Sequence, residues 1–303
     1  MNGNSSIAND LQELGRNLKS KDLNIRSDSL RQIINLFGQG ENCSSIQPQV
    51  STFKPDDNVT LHRFSNIINE YYIKDNPSTM QNVVSSIISD FDNPNYQIKS
   101  LAVRQAGSLM TNENAHDLIP IIKAGALSSD PYIRKTSALS ILKAYQNSPY
   151  IINYYQLGDI LKSLVEDSNP NVASNALIAL SEINMTLPTP LFEVTVEMIH
   201  NVLENIEEAT EWSQAQILEF VSEFQTDKNE AYKIIQKIST RLIQANSAIT
   251  IAAVRCCLNM CILVNDYKFT KETFNTIMLS LIALLNNNNE IRYSVLKSIF
   301  IIL

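Results

Sequence analysis

The feature that most limits how this chain can fold is a residue pairing that recurs along it. A polar turn rich in Asp, Asn or Pro is followed by a β-branched residue or Leu, and then by a small residue four positions later. The pairs are Ile25 with Ser29, Leu61 with Ser65, Ile98 with Ala102, Ile133 with Ser137, Val172 with Ala176 and Ile249 with Ala253, and Ile291 with Val295 is a looser seventh. Successive anchors stand 36, 37, 35, 39, 77 and 42 residues apart. The interval of 77 holds two periods, and its midpoint falls at Thr210-Glu211-Trp212, where a degenerate eighth copy begins. Residues i and i+4 share one face of a helix, and a small side chain there lets a neighbouring helix come close. Such a chain is expected to be a row of helices that lean on one another through the same seam.

Start signals support the helices. Asp130 before Pro131, Asn93 before Pro94 and Asn169 before Pro170 each put a capping side chain ahead of a Pro at the first helical position, and Asp22 and Asp57 can cap the first two copies. Upstream of most turns runs a second apolar-periodic stretch, such as Val83, Val84, Ile87 and Ile88, or Ile119, Ile122, Ala126 and Leu127, or Ile160, Leu161, Leu164 and Val165. Each unit is therefore a helical hairpin. The period exceeds the roughly 33 to 34 residues of ankyrin and tetratricopeptide units and approaches that of HEAT and armadillo units. The expected fold is all-α: an α-solenoid, wound as a right-handed superhelix, of about eight HEAT/armadillo-like hairpins. Only 7 Gly and 10 Pro occur, Asn286 to Asn289 is short enough to be a turn, and no Gly/Ser- or Pro-rich linker divides the chain, so residues 1–303 are expected to form a single domain.

Composition excludes several classes. A net charge of −7 argues against a nucleic-acid footprint spread over the whole molecule. Four Cys do not make a secreted disulfide framework. The segment Met1 to Asp10 lacks the apolar core of a signal peptide. Ile277 to Leu285, read as the longest apolar candidate, is well short of the ~20 residues of a membrane helix. The expected location is cytoplasmic.

Catalytic signatures are missing. Gly38-Gln39-Gly40 lacks the Lys-Ser/Thr of a P-loop, and there is no dinucleotide fingerprint, nucleophile elbow or zinc-protease helix. His62, His116 and His200 fall in different repeats and read as packing or surface residues, and Cys256, Cys257 and Cys261 read as small apolar packing. Glu207-Glu208 reads as solvated surface. No enzyme activity, cofactor or metal is expected. Basic residues recur one position after the anchor: Arg26, Lys99, Arg134 and Arg292, with His62 in the same slot. They form either a ladder between repeats or an anion-binding stripe, and the ladder is favoured because the turns carry matching acids. Trp212 is expected to fill a gap where the repeat degenerates; exposed, it would serve as a partner anchor.

Several stretches together resemble the N-terminal trunk of β-adaptin, the β-type large subunit of heterotetrameric clathrin-adaptor complexes. They are Asn93-Pro94 through Ile98 to Arg104, Asp130 to Ala138, Asp167-Ser168-Asn169-Pro170 leading into Asn175-Ala176 and Ala179 to Ile183, Thr210 to Gln214, and Ala245 to Ala248. The resemblance runs from about Ile7 to Leu303. It implies a non-enzymatic scaffold for coat assembly and cargo selection in vesicle-mediated protein transport, peripheral on Golgi, endosomal or plasma-membrane coats. The implied partners are a second large adaptin, the medium and small subunits and an Arf-type small GTPase. Clathrin is expected to bind only through regions absent from these residues. The GTPase-contact helix of the family matches Pro77 to Asp90, where Val84 keeps an apolar side chain and Gln81 replaces one; read from the residues, Val84 is either such a contact or, as is favoured, core packing. Its lipid-binding Lys run is thinned to Lys19, Lys21, Arg26 and Arg31, which implies weak attraction to anionic headgroups. Family members continue past Leu303, so the chain is expected to be incomplete there, exposing Phe300, Ile301, Ile302 and Leu303 and favouring self-association when isolated. The repeat alone would also suit another HEAT scaffold, of the transport-receptor or phosphatase type.

Overall fold

The computed structural model of the protein describes residues 3–75 and 77–302. Polar turns stop one helix and start the next, and the helices follow in pairs. These are α1 (Gly3–Asn17) and α2 (Leu23–Gly38), α3 (Gln47–Ser51) and α4 (Val59–Asp75), α5 (Met80–Phe91) and α6 (Tyr96–Ser108), and α7 (Ala115–Ala126) and α8 (Pro131–Asn147). A single turn, α9 (Ile151–Tyr154), precedes α10 (Leu157–Val165) and α11 (Pro170–Thr186), then α12 (Val196–Glu204) and α13 (Glu211–Ser222), α14 (Lys228–Ile238) and α15 (Ser247–Val264), and α16 (Tyr267–Leu284) and α17 (Asn289–Ile302). No strand occurs among the described residues. The eight pairs match the eight copies read from the spacing. The helices group into two compact units, Met1–Leu157 and Gly158–Leu303.

In each unit the second helices of the pairs stack. In the first, α2 packs on α4, α4 on α6 and α6 on α8; in the second, α11 packs on α13, α13 on α15 and α15 on α17. The small +4 residues explain that layer. Ser29, Ser65, Ala102, Ser137, Ala176, Ala253 and Val295 are all buried. The approach is close where α6 crosses α8: a Cβ on Gly107 would stand 2.7 Å from the Ser140 carbonyl oxygen.

Polar bonds staple neighbouring repeats. The hydroxyls of Ser100 and Thr136 meet at 2.9 Å. Asn147 donates to the carbonyls of Gly107 and Ser108, at 3.2 and 2.8 Å, and Asn259 donates to that of Ser222 at 3.0 Å. Each Asn thus satisfies carbonyls at the end of the preceding second helix that have no partner within it.

Asp22, Asp130 and Asn169 cap α2, α8 and α11 as their positions suggested. Two expected caps move. Asn95, with an extended backbone, accepts from the Gln97 amide and starts α6, while Asn93 accepts from the Asn95 amide and donates to Asp57. Asn58, not Asp57, accepts from the Leu61 amide. In both places a neighbouring Asn lies within the two- or three-residue reach of the orphan amides and takes the role. Among the anchors, Leu61, Ile98, Ile133, Val172 and Ile249 are buried, but Ile25 is 42% exposed, and α2 buries Ser29, Leu30 and Ile33 instead.

The longest apolar stretch is not Ile277 to Leu285 but α15, the one helix among the described residues long and apolar enough to cross a membrane. Eleven of its residues are buried, and it packs on α13, α14, α16 and α17, which makes it the core helix of the second unit. Asn265 ends it in the left-handed conformation (φ 46°), a C-terminal stop that Asn tolerates. Phe300 is exposed, whereas the side chains of Ile301, Ile302 and Leu303 lie outside the described residues.

Candidate interaction surface

Of the recurring basic positions, Arg26 and His62 reach the neighbouring copy as the ladder reading expects, whereas Arg134, Arg292 and Lys99 turn to groups of their own hairpin. Arg26 Nη1 reaches Asp56 Oδ2 of the next turn at 2.6 Å. Arg134 Nη1 donates to the carbonyls of Ser128 and Ser129, and Arg292 Nε to that of Leu285. Lys99 Nζ stands 5.4 Å from the centroid of the Phe91 ring. His62, only 4% exposed, spans two turns: Nε2 lies 2.7 Å from the Asp56 carbonyl oxygen and Nδ1 3.1 Å from Asp90 Oδ2. It borders a cavity of about 60 Å³ between α3, α4 and α5, room for a few waters.

Burial disfavours the His62 imidazolium, but the Asp90 hydrogen bond and charge, the Asp56 carbonyl and the Asp57 charge outweigh it, so its pKa is raised above 6.5. With two acceptors facing its two nitrogens, the doubly protonated ring is the form that fits. A group whose pKa rises on folding stabilises fully below its unfolded value and loses that contribution as pH climbs through the folded value. The stability gap between the wild type and His62→Gln is therefore expected to be widest below about pH 6.5 and to narrow above it. Denaturant titrations at several pH values, with the His62 midpoint followed by NMR, check this; a midpoint below 6.5 would contradict the geometry.

Other titratable groups are dispersed. Among the described residues no three His, Cys, Asp or Glu side chains are grouped to hold a metal ion. His116 is beside Asp117, and His200 Nε2 lies 2.7 Å from Glu230 Oε2. Cys256, Cys257 and Cys261 are buried in α15, and burial pushes all three thiols up, away from the reactive thiolate. The pattern search missed Arg241, a buried cation paired with Glu207 and 3.4 Å from Gln214 Oε1. It lies in a 3₁₀ turn outside the repeat's anchor register, so spacing carried no signal for it.

The contact positions on α5 separate. Gln81 is exposed, but Val84 is 1% exposed and belongs to the core of its hairpin, so its side chain offers a partner no surface. Of the four cations near the start, Lys19 and Lys21 are exposed, whereas Arg26 is paired with Asp56 and Arg31 with Asp28 at 3.2 Å. Trp212 does not fill a gap: it is 74% exposed. Thr210 caps α13 by accepting from the Ser213 amide, and this register turns Ser213 and Gln214 inward and Trp212 to solvent.

Charge is divided unevenly. In the first unit, α6 and α8 carry Lys99, Arg104, Arg134, Lys135 and Lys143 and no carboxylate. In the second, residues 158–227 hold thirteen Asp and Glu against one Lys, Lys162. A groove of about 650 Å³ opens there between α12 and the turn joining α10 to α11, with Val165, Ala173, Met198 and Val202 among its apolar lining and Glu166, Asp167 and Glu197 among its polar lining.

Such paired helices, charged faces and grooves suit protein contacts, and the chain is similar to known proteins of that kind. The family described as "Adaptin N terminal region" matches residues 4–303. The human AP-1 complex subunit beta-1 is 29% identical over 96% of this chain and 31% of its own length. The AP-1 complex subunit beta of Dictyostelium discoideum is 26% identical over 97% of the chain, again 31% of that protein, and the AP-2 complex subunit beta of Schizosaccharomyces pombe 28% over 99% of the chain and 44% of that protein. The chain thus spans less than half the length of these relatives. In fold it is similar to a chain in a homology model of the full-length AP-3 complex in an intermediate open conformation, with a TM-score of 0.64 and 16% identity over 96% of this chain and 52% of that one. With a match that takes in nearly every residue, the chain belongs to the adaptin N-terminal region family.

Proposed function

We propose that this chain is the trunk portion of a β-type large subunit in a clathrin-adaptor-like complex, a non-enzymatic scaffold for coat assembly and cargo selection in vesicle-mediated protein transport. The observation that carries the reading is the similarity of 96% of the chain to the AP-1 beta subunits. Stacked hairpins support it physically, because a row of helix pairs offers long surfaces to several partners at once. The partners in this reading are a second large adaptin and the medium and small subunits, and the site of action is the cytoplasmic face of Golgi, endosomal or plasma membranes. Clathrin is engaged by segments outside these residues. An Arf-type GTPase contact through α5 rests on the exposed Gln81 rather than the buried Val84. Contact with anionic lipid rests on Lys19 and Lys21, since Arg26 and Arg31 are already paired, and two free charges at about 1 kcal/mol each make a weak anchor.

Affinity purification of the tagged protein from its own cells tests the proposal. Another large adaptin with medium and small subunits is expected to co-purify in equal amounts. Recovery of nuclear-transport or phosphatase components in their place would overturn it in favour of a different HEAT scaffold.

A further inference from the structure

We infer that the groove between α12 and the α10–α11 turn is a docking site for a basic, amphipathic segment of a partner protein. The inference stands on this chain's own charges and goes beyond the adaptor reading.

Its volume, about 650 Å³, lies within the roughly 300 to 1,000 Å³ of sites that enclose a specific ligand. Apolar side chains of a partner can settle on the half-buried Met198, with the edges of the buried Val165, Ala173 and Val202 forming the floor beside it, while the exposed Glu166 and Glu197 flank them with negative charge. No Lys or Arg lines the groove. The one Lys in residues 158–227, Lys162, is paired with Asp159. Cations from later helices reach this acidic stretch elsewhere: Lys237 pairs with Glu204, Arg241 with Glu207 and Arg255 with Glu219. The helix N-termini that open on the groove, whose amides would otherwise attract anions, are capped from within, by Asn169 on α11 and Thr195 on α12. The remaining field is negative, so an acidic peptide or anionic bilayer is repelled, and Lys or Arg beside Leu-type anchors is the chemistry that fits.

Fluorescence anisotropy with the 303-residue chain tests this, using a labelled helical peptide of Leu and Lys and its Leu and Glu counterpart as probes. Salt of about 0.15 M confines electrostatics to about 8 Å and so separates groove contacts from general attraction. Glu166→Lys with Glu197→Lys is compared with Glu182→Lys and Glu223→Lys, exposed residues that make the same change in net charge outside the groove. The Leu/Lys peptide is expected to bind, and the groove pair to lose roughly tenfold in affinity while the control pair loses about twofold or less. Met198→Gln, which leaves charge unchanged, is expected to weaken binding by about threefold or more. Unchanged circular dichroism in each variant separates loss of binding from loss of fold. Equal losses in the two pairs, binding of the Leu/Glu peptide, or no binding of the Leu/Lys peptide overturns the inference. Because the readout is a defined peptide, these results are independent of which subunits co-purify.

Discussion

Gly107→Ala is expected to destabilise the first unit by about 1–3 kcal/mol, although a Gly-to-Ala change inside a helix ordinarily gains about 1 kcal/mol. The added Cβ would meet Ser140 at 2.7 Å from its carbonyl oxygen and 2.9 Å from its Cα. Both atoms are backbone of α8, so no rotamer change relieves the clash and the two helices must part. That movement stretches the Asn147 bonds to Gly107 and Ser108 and the Ser100–Thr136 contact. Gly38, near the end of α2, is the control, because a Cβ there meets nothing within 4 Å. Gly38→Ala is expected to be neutral or to gain up to about 1 kcal/mol. Urea titration of both variants beside the wild type measures the contrast, and equal midpoints for the two would falsify the close approach of α6 and α8.

Ile98→Ala is expected to cost about 2–5 kcal/mol, against about 0.5 kcal/mol or less for Ile25→Ala. The two residues hold the same position in the repeat, one before a cation and four before a small residue. Ile98 is fully buried, so truncation removes apolar burial and leaves a cavity, whereas Ile25 already faces water. Thermal or urea unfolding of the two single variants checks this. Similar losses would mean that position in the repeat, rather than burial, governs the energetics.

The hairpins were legible because their signals are local. Asp130 ahead of Pro131 and Asn169 ahead of Pro170 cap helices through bonds two or three residues long, and such bonds can be read off adjacent letters. The count of eight followed from periodicity. The ladder was legible only in part: Arg26 pairs with Asp56 of the next turn, whereas Arg134 and Arg292 bond carbonyls of their own turns, a choice that side-chain geometry makes and spacing does not show. Legibility failed where two neighbouring side chains competed for one role. Asn95 displaced Asn93, and Asn58 displaced Asp57, because either could reach an orphan amide and only the backbone conformation chose. Val84 and Trp212 show the other limit. An apolar residue on an amphipathic helix and an aromatic at a helix start each have two plausible directions, and the register of the helix against its neighbours turned one inward and the other outward.

By itself, the amino-acid sequence determined that this protein is a succession of helix pairs with small residues at the seam and an acidic stretch over residues 158–227, because helix caps, i to i+4 spacing and formal charge are properties of short stretches. Only the tertiary structure decided that α6 and α8 meet at Gly107, that Arg241 is buried against Glu207 and Gln214, and that Glu166 and Glu197 flank one groove. Those facts join residues 27 positions or more apart, and such pairings are set by how whole helices pack, which no single repeat encodes.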